Sequence, residues 1–159
     1  NLVLATENAR DNKLADEYVA AMKEVMDKNS NPAEMELTDL KAVLKEMTDL
    51  YANFSACNEE ARNAALAKYG LTAEAITAYI VSVNEEKEVI EITALKAEID
   101  AKIGGFPSPL NEYNNLDVIS VYLEVSANLE LIEKCTAAAI ARVFGEEGTA
   151  YIHTFLDNL

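Results

Sequence analysis

Residues 37–54, LTDLKAVLKEMTDLYANF, contain the pattern that decides the fold class. Their apolar side chains recur every three or four residues, the spacing that places side chains on one face of an α-helix. These residues are Leu37, Leu40, Val43, Leu44, Met47, Leu50, Tyr51 and Phe54. The preceding Asn31 and Pro32 are typical of an N-cap and a first helical position. We therefore predict a helix over residues 32–56 with one broad apolar face.

The same spacing recurs along most of the 159-residue chain. Proline is nearly absent, and no segment has the alternation of apolar and polar residues, bounded by turn residues, that is typical of strand pairs. Further helices are predicted over residues 6–28, 59–69, 73–103, 116–144 and 150–159. Because the connections are short, we expect an all-α, mainly antiparallel up-and-down helical bundle of four long helices and two short ones. The length suits a single domain, residues 1–159.

Several residues between these segments have the chemistry of helix ends. Asn58, followed by two glutamates, suits an N-cap, and Gly70 can adopt the left-handed conformation that ends a helix. Thr72 is predicted to cap the fourth helix. Gly145 is expected to end the fifth helix, and Thr149 to cap the last one. No motif recurs at the periods of helical-repeat arrays, so a solenoid is not expected.

The fourth helix contains a polar interruption, NEEKE at residues 84–88, between two apolar stripes. Either the helix bends near Asn84, or its middle overhangs the core and is solvated on most sides. In a third alternative, Glu85, Glu88 and Glu91 form a ladder of carboxylates that binds a cation.

The chain carries 28 acidic and 13 basic residues, a formal net charge of −15. This charge repels phosphate backbones and anionic lipids, so nucleic acid and membrane surfaces are not expected partners. No apolar run approaches the length of a transmembrane segment, and none is predicted. An acidic surface suits a basic protein partner or divalent cations.

Residues that suit catalysis or cofactor binding are sparse. His153, the single histidine, precedes Asp157 by four residues, a spacing that can orient an imidazole or bind a metal weakly. Glycine-rich phosphate loops and CxxC motifs are absent, and so are the paired Glu-x-x-His motifs of di-iron bundles. We predict no catalytic residue and no cofactor. The weak candidates for a metal site are Glu85, Glu88, Glu130, Glu133 and His153.

Cys57 and Cys135 allow either one internal disulfide or two buried free thiols. The chain begins at Asn1 without a methionine, from which we expect that an upstream segment, either an export signal or an expression tag, was removed. With an export signal, the predicted location is extracytoplasmic: periplasmic, surface-anchored or secreted. The cytoplasm is the alternative, which free thiols would favour and a disulfide would oppose.

Residues 104–115, GGFPSPLNEYNN, lie between the fourth and fifth helices. Phe106 and Leu110 are predicted to close the end of the bundle. In the alternative interpretation, Phe106, Leu110 and Tyr113 form a contact surface for a partner.

Together these features predict a protein that works by binding rather than by catalysis, as a small exported acidic bundle with a protein partner. The first alternative is a cytoplasmic acidic chaperone or inhibitor of a basic protein. The second is a carboxylate-based bundle that binds a metal or cofactor. A carrier of a small apolar ligand is a further alternative, with its cavity near the polar middle of the fourth helix.

Overall fold

A computed structural model describes residues 2–103 and 126–157, and the regular secondary structure within them is entirely helical. The elements are α1 (Leu2–Lys28), a 3₁₀ helix (Pro32–Glu34), α2 (Leu37–Ser55), α3 (Glu59–Tyr69), α4 (Ala73–Ile103), α5 (residues 126–133) and α6 (Ala137–Asp157). The predicted all-α fold is confirmed. Phe106, Leu110 and Tyr113 lie outside the residues that the structure describes.

The chain divides into two compact units, Asn1–Asn84 (unit 1) and Glu85–Leu159 (unit 2). The boundary falls within α4, so the first part of this helix belongs to unit 1 and the rest to unit 2. The backbone of α4 stays helical through Asn84, and the helix has 31 residues. The sequence predicts one domain over residues 1–159, whereas each unit of the structure has a hydrophobic core of its own.

Unit 1 is built around α1, which packs against both α2 and α3. Asn58 follows α2, and its backbone N–H donates to Asp11 in the first half of α1 at 2.9 Å, so α2 runs back along α1. At the other end of α3, the Lys68 ammonium lies 2.7 Å from Asp16. Because both contacts advance along α1, α3 follows the direction of α1. The antiparallel arrangement thus describes α1 and α2, and for the whole chain it stays a prediction.

Each core consists of the apolar faces that the residue spacing indicates. In unit 1 the buried residues are Ala15, Val19, Met22, Val25, Leu40, Val43, Met47, Phe54, Cys57, Ala61, Ala65, Ile76 and Val83. In unit 2 they are Ile92, Ile99, Leu129, Ile132, Ala139 and Ile140. Full burial of one such aliphatic side chain contributes about 1.5–3 kcal/mol, so these faces supply most of the folding free energy of each unit.

Three predicted helix ends are confirmed in unit 1. The Asn58 side chain accepts the Ala61 N–H at 2.8 Å, and Thr72 Oγ1 accepts the Ala75 N–H at 3.0 Å. Gly70 has φ 66° and ψ 30°, the left-handed conformation that ends α3. The prediction for Asn31 was wrong, because its side chain makes no capping hydrogen bond and residues 32–34 form a 3₁₀ turn. The α2 helix begins only at Leu37.

The predicted long helix over residues 116–144 is interrupted. A turn at residues 134–136 separates α5 from α6, and Thr136 Oγ1 accepts the Ala139 N–H at 3.4 Å. The helical conformation breaks at Gly145, which has φ 73° and ψ −179°, so the predicted end there is correct. Thr149 does not cap the following segment, since its hydroxyl donates to the Gly145 carbonyl at 2.7 Å from one turn inside the helix.

Candidate functional site

The polar segment of α4 is the part of unit 2 where charged side chains are least exposed. Only 7% of Glu88 is accessible to solvent, and 16% of the Glu86 side chain. The prediction of a solvated middle for this helix was therefore wrong. The turn before α6 and the first turns of α6 pack over the segment and provide its polar partners. We call residues 85–91 of α4, together with Cys135, Thr136 and Arg142, the polar seam.

Glu88 is placed at the beginning of α6. Its Oε2 accepts the backbone N–H of Thr136 at 2.7 Å. The N–H groups in the first turn of a helix have no partner within the helix, and the helix dipole makes this end positive. A carboxylate from a neighbouring helix supplies both a hydrogen-bond acceptor for these N–H groups and a negative charge at the positive helix end. The role of Glu88 is therefore to fix where α6 starts.

Arg142 in α6 contacts two neighbouring acids of α4. Its Nη1 and Nη2 donate to the two carboxylate oxygens of Glu86 at 2.6 and 3.4 Å, and Nη1 also donates to Glu85 at 3.2 Å. The hydrogen bond with Glu86 is the largest cause that raises the pKa of the Arg142 guanidinium. Arg142 therefore holds α6 to α4 about 1.7 turns beyond the contact of Glu88 with Thr136.

Cys135 lies in the turn beside Glu88. Burial raises the pKa of its thiol to about 11, and the charge of the neighbouring Glu88 carboxylate adds to the shift. At neutral pH only about one thiol in ten thousand is then ionised, because each pKa unit above the pH lowers the thiolate fraction tenfold. Since the thiolate is the nucleophile, this cysteine lacks the activation that a catalytic thiol requires.

Each of the three glutamates of the predicted cation ladder contacts another group of the protein. Glu85 binds Arg142 at 3.2 Å, Glu88 binds the amide of Thr136, and Glu91 forms an ion pair with Lys87 at 3.5 Å. Among the described residues, no group of three His, Cys, Asp or Glu side chains is arranged to hold a metal ion. Glu130 and Glu133 are exposed on α5, and His153 lies in the last part of α6, where side chains are not described.

Both cysteines are free thiols in the structure. Cys57 is buried in unit 1, and its Sγ donates to the Asn53 carbonyl at 3.7 Å. Cys135 belongs to unit 2 and donates to the Leu131 carbonyl at 3.5 Å. The disulfide between them stays a prediction.

In unit 1, as in the polar seam of unit 2, partly buried polar groups form hydrogen bonds between neighbouring helices. Asp16 accepts hydrogen bonds from Lys68 and from the Tyr69 hydroxyl, and the Lys68 contact is the largest cause that lowers the pKa of Asp16. The Tyr79 hydroxyl donates to the Asn29 carbonyl at 2.8 Å, next to the end of α1. These contacts connect helix ends to neighbouring helices.

One surface depression, of about 360 Å³, lies along α1. It is lined by Ala20, Lys23, Glu24, Asp27 and Lys28. The four charged side chains form two ion pairs, Lys23 with Asp27 and Lys28 with Glu24, so their charges are compensated within the depression. Its lining is charged and open to solvent, which does not suit an apolar ligand.

Arg142 and Thr136 are the residues of the polar seam that the sequence patterns did not indicate. Both lie in an apolar, alanine-rich segment, KCTAAAIARVF, and each of the two contacts an acid of α4. A single arginine in such a segment, opposite a run of acids in another helix, is the signal that could have revealed the pairing.

The fold and these contacts define an all-α protein in which the partly buried charges mostly serve helix ends and helix packing. None of the helices in the described part of the chain is both long and apolar enough to cross a membrane. No protein family, curated protein or solved structure matches this chain.

Proposed function

We propose that this protein acts by binding a protein partner with a basic surface, and not by catalysis. The observation that carries the proposal is the sign of the charge that remains after internal pairing. Several lysines of unit 1 are neutralised by nearby carboxylates: Lys23, Lys28, Lys45 and Lys68 each lie 2.6 or 2.7 Å from an Asp or Glu oxygen. The charges left over are mostly carboxylates.

The segment between α1 and α2, together with the first turn of α2, shows this excess most clearly. Glu34, Glu36 and Asp39 are exposed, and none of them has an ion pair or a side-chain hydrogen bond within the described residues. A surface with unpaired carboxylates and a net charge of −15 attracts a basic partner over a distance of about one Debye length, roughly 8–10 Å. Such complementarity mainly raises the association rate and selects against acidic partners.

Exposed apolar side chains support a binding role as well. Val81 on α4 is 63% exposed and Leu131 on α5 is 52% exposed. Buried apolar side chains near the centre of an interface usually contribute most of its binding free energy, while charges set the approach. A partner with both basic and apolar groups is therefore the chemistry that these exposed side chains fit.

Affinity capture with the full chain tests the proposal. An extract of the source cells is passed over immobilised protein at low and at high ionic strength, and the captured proteins are identified by mass spectrometry. We expect a basic protein that is retained at low ionic strength and released at high ionic strength. Its purified form should bind the chain in solution with an association rate that falls as salt rises.

Two variants with the same change in charge locate the contact. Glu34→Gln/Glu36→Gln/Asp39→Asn removes three unpaired carboxylates near α2, and Glu17→Gln/Glu130→Gln/Glu133→Gln removes three at other exposed positions. Both should lower the association rate severalfold, and only a variant that removes contact residues should also speed dissociation. Captured partners that are acidic, or capture that is insensitive to salt, would contradict the proposal. Turnover of a substrate by the purified protein would also contradict it.

The extracytoplasmic location remains part of the proposal, with the cytoplasm as its alternative. Titration of free thiols in native material tests it, because an oxidising compartment favours a Cys57 to Cys135 disulfide. Two titratable thiols after denaturation under non-reducing conditions would favour the cytoplasm.

A further inference from the structure

The turns that precede α3 and α6 have the same hydrogen bonds at equivalent positions. In unit 1 the Cys57 N–H donates to the Phe54 carbonyl at 3.1 Å, and in unit 2 the Cys135 N–H donates to the Ile132 carbonyl at 3.0 Å. Each thiol also donates to the carbonyl four residues before it, at 3.7 Å for Cys57 and 3.5 Å for Cys135. The two turns therefore share both the cysteine and its contacts.

The residue after each cysteine caps the helix that follows. The Asn58 side chain accepts the Ala61 N–H at 2.8 Å, and Thr136 Oγ1 accepts the Ala139 N–H at 3.4 Å. Both alanines are buried, at the same distance from the cysteine.

An acid of the first helix completes each turn. Asp11 of α1 accepts the backbone N–H of Asn58 at 2.9 Å, and Glu88 of α4 accepts the backbone N–H of Thr136 at 2.7 Å. The side chains at positions +4 and +11 after these acids are buried in the respective core, and those at position +7 pack against it. They are Ala15, Tyr18 and Met22 in unit 1, and Ile92, Leu95 and Ile99 in unit 2.

The ends of the two third helices also correspond. Both are followed by a glycine with positive φ, Gly70 at 66° and Gly145 at 73°, while their ψ angles differ, at 30° and −179°. The helical segment after each glycine has a similar sequence pattern, Ile76-x-x-Tyr79-Ile80 after the first and Ile152-x-x-Phe155-Leu156 after the second.

We infer that the two units are copies of one helical module, in which Asp11 and Glu88 hold the same position and set the turn between the second and third helices. The carboxylate binds a backbone N–H that would otherwise lack a partner at the positive end of a helix. The module therefore uses one charge from its first helix to determine where its third helix begins.

The two copies do not repeat at one constant sequence period because their third helices differ in length. The glycine follows the cysteine by 13 positions in unit 1, from Cys57 to Gly70, and by 10 positions in unit 2, from Cys135 to Gly145. The difference is about one helical turn, which keeps the same face directed at the core. The shared acid is also a different residue type in each copy, Asp11 in unit 1 and Glu88 in unit 2, so the two sequences are not identical at this position.

Hydrogen exchange of the full chain, measured for each amide, tests the inference. Asp11→Leu and Glu88→Leu remove the acceptor and keep an apolar volume, while Asp11→Asn and Glu88→Gln keep an oxygen acceptor without its charge. Glu17→Leu and Glu130→Leu, at exposed acids of α1 and α5, are the matched controls.

We expect Asp11→Leu to speed exchange about 10- to 100-fold at the start of α3 and Glu88→Leu to do so at the start of α6, each without effect on the other turn. The Asn and Gln variants should give about 3- to 10-fold changes at the same amides, and they serve the test if a leucine variant does not fold. Equal effects of one variant on both turns would overturn the inference. So would an effect of only one of the two acids, or effects no larger than those of the controls.

Discussion

Arg142 and Glu86 form a two-point contact in unit 2, with Nη1 2.6 Å from Oε1 and Nη2 3.4 Å from Oε2. The planar guanidinium matches the carboxylate in this arrangement, so the contact fixes an orientation as well as a distance. It joins α6 to the part of α4 that carries the acidic run. Residues that look like a solvated charge cluster in the sequence thus serve helix packing.

A double-mutant cycle measures this contact. Arg142→Met, Glu86→Gln and the double variant should give a coupling free energy of about 0.5–1 kcal/mol, because one partner is mostly covered and the other is about half exposed. Urea unfolding supplies the three stability differences. The coupling should shrink as salt is added. The exposed pair Lys45 and Asp49 is the control and should couple less strongly, and equal coupling of the two pairs would contradict the interpretation.

The two glycines with positive φ should respond differently to substitution. A Cβ at either position meets no atom within 4 Å, so the cost of alanine comes from the backbone conformation alone. Gly70 lies in the left-handed region, where alanine costs about 1 kcal/mol and asparagine less. Gly145, with ψ −179°, lies in a region that is essentially restricted to glycine, where other residues cost about 1–3 kcal/mol.

Thermal unfolding of Gly70→Ala, Gly70→Asn, Gly145→Ala and Gly145→Asn checks this difference. Asparagine should restore most of the stability lost by alanine at Gly70 and little at Gly145. Restoration at both positions would mean that Gly145 can relax into the left-handed region.

Features that depend on neighbouring residues could be predicted from the sequence. The helix of Leu37–Ser55 follows from its apolar spacing, and the Asn58 cap and the Gly70 end follow from residue chemistry at adjacent positions. The prediction failed at Asn31, where two residue types favourable for a helix start produce a 3₁₀ turn instead, and α2 begins five residues after Pro32.

Features that depend on distant pairs could not be predicted. Thr136 and Arg142, the partners of the acids at 85–88, lie about 50 residues further along the chain. Without these partners, the composition of α4 alone indicates that its acidic segment is solvated. The break between α5 and α6 also lies in a segment with continuous apolar spacing, where the acid that stabilises the turn belongs to another helix. Such tertiary contacts override local helix propensity.

The Tyr79 hydroxyl should contribute measurably to the stability of unit 1. It donates to the Asn29 carbonyl at 2.8 Å, and its burial raises the pKa of the phenol. Tyr79→Phe leaves that carbonyl without this donor and should cost about 0.5–1.5 kcal/mol. Tyr51→Phe is the control, since the Tyr51 ring packs against Phe54 and its hydroxyl has no hydrogen bond within the described residues. Equal losses in urea unfolding would show that the Tyr79 hydrogen bond contributes nothing beyond packing.

The Cys135 thiol should make unit 2 less stable at high pH. Its pKa is raised from 9.0 to about 11, chiefly by burial. Because the folded state holds the proton more tightly than the unfolded state, this contribution is fully present below about pH 9 and is lost as the pH rises to about 11. Burial also raises the pKa of Cys57, so the measurement uses Cys57→Ala as its background.

In that background, urea unfolding should show a decline in stability between about pH 9 and 11, and Cys135→Ala should remove this decline. Alkylation by iodoacetamide supplies an independent measurement, since its rate follows the thiolate fraction. For folded protein at pH 8 the rate at Cys135 should be about 100-fold below that of the unfolded chain, because the pKa is about two units higher. Equal rates in the folded and unfolded chains would show that the thiol is not held by burial and by Glu88.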